Sequence, residues 1–365
     1  MTATNMNHAN GGASEGSGAN QSQESFGESK GQFKSAVNFT NDKFGQFTET
    51  INKMAGGQGR VELRFRDFFV EVPKKHTAEE RDRIFTCGTA TTTPSPEQIS
   101  TDWPKPWLYS RVLLVLMITY VIMYQATIMG GKALPAAIFI GALASPLSIL
   151  IFLFEINAPR NINIMEVLLY FMLGGGASIL FTMVLYNFIS LDESLNLMDA
   201  AKISLVEEIG KMLAVCAIMM LSKKIKYILN GMLIGGAVGS GFAAMESAGY
   251  GLESAIERGD IQEITLVRGI VAPGGHVVWA AITGAAIMIA LNHNAFTFKA
   301  LTEKKFLTLF AIPLVLHAVW DWSAADVLGD FKYVILIVIP WIVLAVLMKN
   351  GLDEINNLSI APGGQ

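Results

Sequence analysis

From about residue 106 to residue 350 the chain alternates long apolar runs with short polar loops, whereas the residues before it are polar. A helix needs about 20 mostly apolar residues to cross ~30 Å of hydrocarbon. Stretches that meet or approach this length lie at 107–129, 133–154, 164–189, 201–222, 228–250, 266–290, 306–327 and 333–349. The fourth is interrupted by charges and the last is short. The loops supply an independent check. With the N-terminus inside, the cytoplasmic loops hold Arg160, then Lys223, Lys224 and Lys226, then Lys299, Lys304 and Lys305, and finally Lys349. The external loops and helix ends hold Lys132, Lys202, Arg258 and Lys332 beside Asp192, Glu193, Glu253, Glu257, Asp260 and Asp330. This is the positive-inside bias, repeated at each turn. Removing one span would reverse every later loop, so the topology supports the charged fourth span. The predicted fold is an all-α polytopic membrane protein with about eight transmembrane helices over 106–350, N-in and C-in, and a short C-terminal tail over 351–365.

The N-terminal region divides in two. Residues 1–60 are rich in Gly, Ser, Asn and Gln and predict a disordered polar region, within which Phe44, Phe47, Ile51 and Met54 fall at helical spacing. Residues 61–105 predict a small cytoplasmic juxtamembrane element. Val61, Leu63 and Phe65 alternate with Glu62, Arg64 and Arg66, the pattern of a short strand. Thr77 with Glu80, and Ser95-Pro96-Glu97-Gln98, are capping-box patterns. His76 and Cys87 have no metal-ligand spacing and read as an ordinary surface histidine and thiol. No basic-then-apolar signal peptide pattern precedes the first span, so membrane insertion is expected to begin there.

Composition narrows the class. Of 365 residues, 52% are hydrophobic and only 16% charged, against about 25% charged in a soluble domain. The net charge of −4 argues against nucleic acid as the partner. The two cysteines, Cys87 and Cys216, lie in different regimes and predict no disulfide. The lipid bilayer is the expected environment of a multi-pass protein, and nothing in the chain specifies an oligomer.

Against this apolar background the ionisable residues within spans stand out, because each costs about 2.5–3.5 kcal/mol at mid-membrane on insertion scales. The fourth span carries Glu207, Glu208 and Lys211. Lys211 is i+4 to the first glutamate and i+3 to the second, so it can lie beside both but cannot neutralise both. One carboxylate is left without a full counter-charge, a state suited to a general base. The fifth span ends with Phe242 and Glu246, the sixth holds His276 after Pro273-Gly274-Gly275, and the seventh holds His317 and Asp321 at i,i+4. At 1.5 Å per residue, Glu208 and Asp321 lie roughly 10 Å from the external ends of their helices, His276 and His317 roughly 15 Å, and Glu246 roughly 6 Å. All five fall in the outer half of the membrane, with Lys211 below them. Arg111, Arg268 and Glu166 lie near span ends, where snorkelling accounts for them. Gly231, Gly235 and Gly239 predict a close helix contact, and Gly174-Gly175-Gly176 interrupts the third span.

Glu207-Glu208-x-x-Lys211, Phe242-x-x-x-Glu246, Pro-Gly-Gly-His276-Val-Val-Trp279 and His317-x-x-x-Asp321 form an ordered set, each on its own span. The set resembles the PrsW family of intramembrane proteases, which is similar in turn to the CAAX-protease and bacteriocin-processing group. In that wider group a His stands where this chain has Glu246, and an Arg one position later replaces Lys211. The resemblance, over about 107–349, implies hydrolysis of peptide bonds in membrane-anchored proteins of the anti-sigma-factor kind, cut on their external side. The expected catalytic residues are Glu207, Glu208, Lys211, His276 and His317, with one of the two glutamates as general base. A zinc ion held by His276 and His317, with Glu246 or Asp321 as acidic ligand, is the expected cofactor. A metal-free variant, with the histidines as oxyanion donors, stays open. So do a transporter or proton/cation-conducting protein, whose path such residues line, and a non-catalytic membrane scaffold.

Overall fold

The computed structural model describes residues 40–192 and 196–360. Two compact units divide the chain, Met1–Phe47 and Thr48–Gln365. Residues 40–54 are helical (α1), and every later element belongs to the second unit. The spacing of Phe44, Phe47, Ile51 and Met54 anticipates α1, which lies inside the stretch expected to be disordered. Residues 1–39, where that expectation chiefly falls, lie outside the described residues, as do 361–365 of the expected tail.

The juxtamembrane element is a strap without strands. Val61–Phe65 forms no strand; the chain turns instead into a 3-10 helix at Phe65–Phe68. A lone strand with no pairing partner is not stable. A 3-10 turn brings residues three apart into register, and the Phe65 and Phe68 rings meet edge to face at 6.0 Å. Phe68 then stacks on Trp103 and packs edge-on against Phe152. Both capping boxes form, at Thr77 with Glu80 and at Ser95 with Gln98, the first opening α2 (Ala78–Phe85). His76 stacks flat on Trp107, with ring centroids 3.8 Å apart. Cys87 is buried, its Sγ 3.4 Å from Ile162 O, and burial pushes its thiol up. Arg111 does not snorkel: it donates to Val72 O and Lys74 O and so ties the strap down. Glu166 caps its own helix with Asn163 and pairs with Lys224.

The remaining helices are α3 (Leu108–Gly130), α4 (Leu134–Glu155), α5 (Ile164–Tyr186), α6 (Leu197–Leu221), α7 (Ile228–Arg258), α8 (Gln262–Val271), α9 (His276–Leu291), α10 (Lys304–Asp321) and α11 (Asp330–Ile360). No strand occurs among the described residues. Among the described residues five helices are long and apolar enough to cross a membrane: α3, α4, α5, α7 and α11 from Phe331. The chain is a multi-pass membrane protein. The stretches expected as the fourth, sixth and seventh spans are helical but fall short of that standard, each for a visible reason. α6 carries Glu207, Glu208 and Lys211. The sixth is broken by a 3-10 turn at Ala272–Gly274, leaving α9 with 16 residues. α10, of 18 residues, carries Lys304, Lys305 and Asp321. α11 runs on through Ile360, where a tail was expected.

α7 is the axis of the bundle: 94% of its most apolar window is buried, against 6% for α3. Glycine makes this possible. A Cβ at Gly231, Gly235 or Gly239 would collide with the carbonyl oxygens of Gly284, Ala280 and His276 respectively. The expected small-residue face is therefore the seam between α7 and α9, and it brings Glu246 beside His276. On another side a Cβ at Gly241 would collide with Phe171 O, where α5 opens into a π turn at Tyr170–Gly174.

Candidate active site

α6, α7, α9 and α10 each deliver a polar side chain to one place. Glu208 is fully buried. Its Oε1 lies 2.6 Å from Lys211 Nζ and accepts from His317 Nδ1 at 2.8 Å. Lys211, 1% exposed, also reaches His276 Nδ1 at 2.8 Å and lies over the Phe242 ring at 4.5 Å. The lysine thus pairs with the glutamate at i,i+3 and braces a histidine; it does not straddle both glutamates. Glu207 takes its neighbours from elsewhere. Its Oε1 accepts from Tyr186 OH at 3.0 Å, and its Oε2 lies 3.6 Å from His317 Nε2.

The hydrogen positions follow from these partners. A carboxylate only accepts, so His317 Nδ1 carries a hydrogen, and Nε2 of the neutral ring presents a lone pair. That lone pair faces Glu207 Oε2 at 3.6 Å and Asp321 Oδ2 at 3.3 Å. Both of these oxygens are buried without a hydrogen-bond partner. Three electron-rich atoms therefore converge, and a cation among them, whether a proton on the ring or a metal ion, satisfies all three. Glu207, His276 and His317 form a group whose ligand atoms lie within 4.8 Å of one another. Two imidazoles, one carboxylate and an open position make a catalytic zinc pattern, so the residues present fit a metal. Both nitrogens of His276 have neighbours, Lys211 at Nδ1 and Glu246 at 3.0 Å from Nε2; an ion bound there replaces one of these contacts.

Every site residue expected from the sequence is in this cluster. Glu246 and Asp321 flank it, the former on His276 and the latter on His317. Sequence reasoning missed Tyr186 and misjudged Arg268. Arg268 does not snorkel: it pairs with Glu246, donates to Ser247 Oγ at 2.9 Å, and lies over the Tyr250 ring. Its signal was present, because Arg268 precedes His276 in the same expected span as the only cation there. Tyr186 gave no such signal, as a tyrosine at a span end is ordinary in a membrane interface. Trp279 stacks on His317 at 4.8 Å and meets His276 edge-on at 5.2 Å.

The bundle closes around a cluster of histidines and carboxylates, an arrangement with the chemistry of a metal-assisted hydrolase. A family model, PrsW family intramembrane metalloprotease, matches residues 163–348, just over half of the chain, and the chain belongs to that family. It is thus a protease of the membrane, and its family implies a metal. The match spans α5 to α11 and contains every residue of the cluster. Neither the curated proteins nor the solved structures offer a match.

Proposed function

We propose that this protease cuts membrane-anchored proteins of the anti-sigma-factor kind on their external side, using a zinc ion held by Glu207, His276 and His317. The observation that carries the reading is the convergence of the His317 Nε2 lone pair with two unpartnered carboxylate oxygens. An ion bound there supplies an acidified water and a polarised scissile carbonyl. Glu208 and Lys211 orient the histidines, as hydrogen-bonded partners of metal ligands do. Tyr186 holds Glu207 so that Oε2 faces inward. Asp321 accepts the proton of the attacking water, since its Oδ2 has no other partner. Spacing alone assigns the base to the glutamate pair and the acidic ligand to Glu246 or Asp321. The geometry favours the exchange: two donors fix Glu208 through Oε1, one of them from His317, and Glu246 is held by Arg268 and His276.

The eight-span, N-in/C-in topology belongs to the same proposal. What supports it is the alternation of lysine-rich and acidic loops along the sequence. In this topology the cluster opens from the outer half of the membrane.

The test compares membrane-protein fragments in cells that make the wild-type chain, Glu207→Gln or Asp321→Asn, together with metal content of the purified proteins. Glu207→Gln is expected to lose bound zinc and the wild-type fragments. Asp321→Asn is expected to keep zinc while cleavage falls about 10²–10⁴-fold, the range of a general base. Wild-type cleavage by Glu207→Gln sinks the proposal, and an active, metal-free wild-type sample sinks the zinc.

A further inference from the structure

Peptide hydrolysis needs a donor for the oxygen that becomes negative when water adds to the carbonyl. The cationic and phenolic donors around the cluster each already serve a partner. Lys211 is held by Glu208 and His276, Arg268 by Glu246 and Ser247, and Tyr186 by Glu207. One buried donor of the site has no acceptor: Trp279 Nε1. The Trp279 side chain is 1% exposed, so its N–H is out of reach of bulk water and no protein group accepts from it. Leaving such a group unsatisfied is destabilising, and a phenylalanine there would avoid that cost. Trp279 also lines a cavity of about 30 Å³, shared with Ala243, Ser247, Arg268, Gly275, His276 and Trp320. That is room for an oxygen atom or a water, which needs roughly 10–15 Å³ by the same measure. The cavity lies at the start of α9, where the first N–H groups of a helix have no intrahelical acceptor and add positive potential.

We propose that Trp279 Nε1–H is a catalytic hydrogen-bond donor to the scissile carbonyl oxygen, which enters this cavity. The inference rests on the protease reading of the Glu207–His276–His317 cluster. In the step it serves, the water oxygen bonds to the carbonyl carbon and a water proton passes to Asp321. The carbonyl π pair moves onto the oxygen, where the Trp279 N–H receives it. The pair returns as the C–N bond breaks, and Asp321 gives its proton to the leaving amine. His317 and His276, packed against the indole faces and edge, hold the ring at a fixed angle to the cluster.

The test replaces Trp279 with β-(3-benzothienyl)alanine, a ring of the same shape with sulfur in place of N–H, and in parallel with phenylalanine. Reconstituted in liposomes, each is assayed on the membrane protein whose fragments distinguish wild type from Glu207→Gln. The expected result for the benzothienyl variant is a fall in kcat of about 10²–10³-fold, with KM and the thermal midpoint close to wild type. A wild-type kcat in the benzothienyl variant, with Glu207→Gln inactive, overturns the Trp279 role and leaves the protease reading standing. A fall in thermal midpoint that accounts for the lost activity assigns Trp279 to packing and overturns the role too. Should Glu207→Gln itself cleave like wild type, both readings fall together.

Discussion

Two polar clusters are buried in this bundle, and they are built to opposite rules. Near the start of α7, Asn230 is fully buried. Its Nδ2 donates to Asn157 Oδ1 at 2.9 Å and Asn161 Oδ1 at 2.8 Å, while its Oδ1 receives the N–H groups of Lys226 and Tyr227 and the amide of Asn161. Each polar atom of Asn230 has a partner, and the loops before α5 and α7 are pinned together. Farther along the same helix, the cluster around Glu207 and His317 leaves Glu207 Oε2, Glu208 Oε2, Asp321 Oδ2 and Trp279 Nε1 without one. Buried polar groups in native proteins are nearly always satisfied, so an exception marks a task. The asparagine knot holds a shape; the Glu–His cluster holds open valences.

The comparison can be broken by removing a member of each. Glu208→Gln is expected to have the largest effect, because it leaves Lys211 buried opposite a neutral amide. Stability should fall by about 3–5 kcal/mol, as for a broken buried ion pair, measured by thermal denaturation in detergent. Activity per folded molecule should also drop about 10–100-fold through a loosened His317. Asn230→Leu should lower stability by about 2–3 kcal/mol, since its former partners lose their bonds. The folded fraction should keep wild-type cleavage, and a matching loss of cleavage per folded molecule would erase the distinction between the clusters. Tyr186→Phe is expected to act least, with stability changed by about 1 kcal/mol. Cleavage should fall roughly 10-fold as Glu207 loses its anchor, read from kcat on the same membrane substrate.

Much of this was legible in the chain. Apolar length and loop charge located the helices, because lipid leaves no alternative to internally bonded backbone. The glycine triplet of α7 announced its seam with α9, since no side chain fits there. The residues that cluster were legible for the reverse reason: a charge in hydrocarbon needs a use. What escaped was pairing. Which glutamate Lys211 takes depends on rotamers and on His276 arriving from α9, which spacing along α6 cannot express. Arg268 looked like a span-end residue until the break at Ala272–Gly274 gave its segment a separate helix. The alternation at Val61–Phe65 suggested a strand, but a strand is decided by a partner, and the nearest surface offered was the aromatic cluster of Phe68, Trp103 and Phe152.

The three helices that fall short of an independent membrane span, α6, α9 and α10, are those that supply Glu207, His276 and His317. This has a consequence for biogenesis. A segment that carries buried charges, as α6 does, or is too short to span, as α9 is, partitions poorly into lipid alone and is retained when neighbours shield it. α6, α9 and α10 should therefore settle after α3, α4, α5 and α7 have formed a wall around them. The cluster is then complete only once those neighbours are in place.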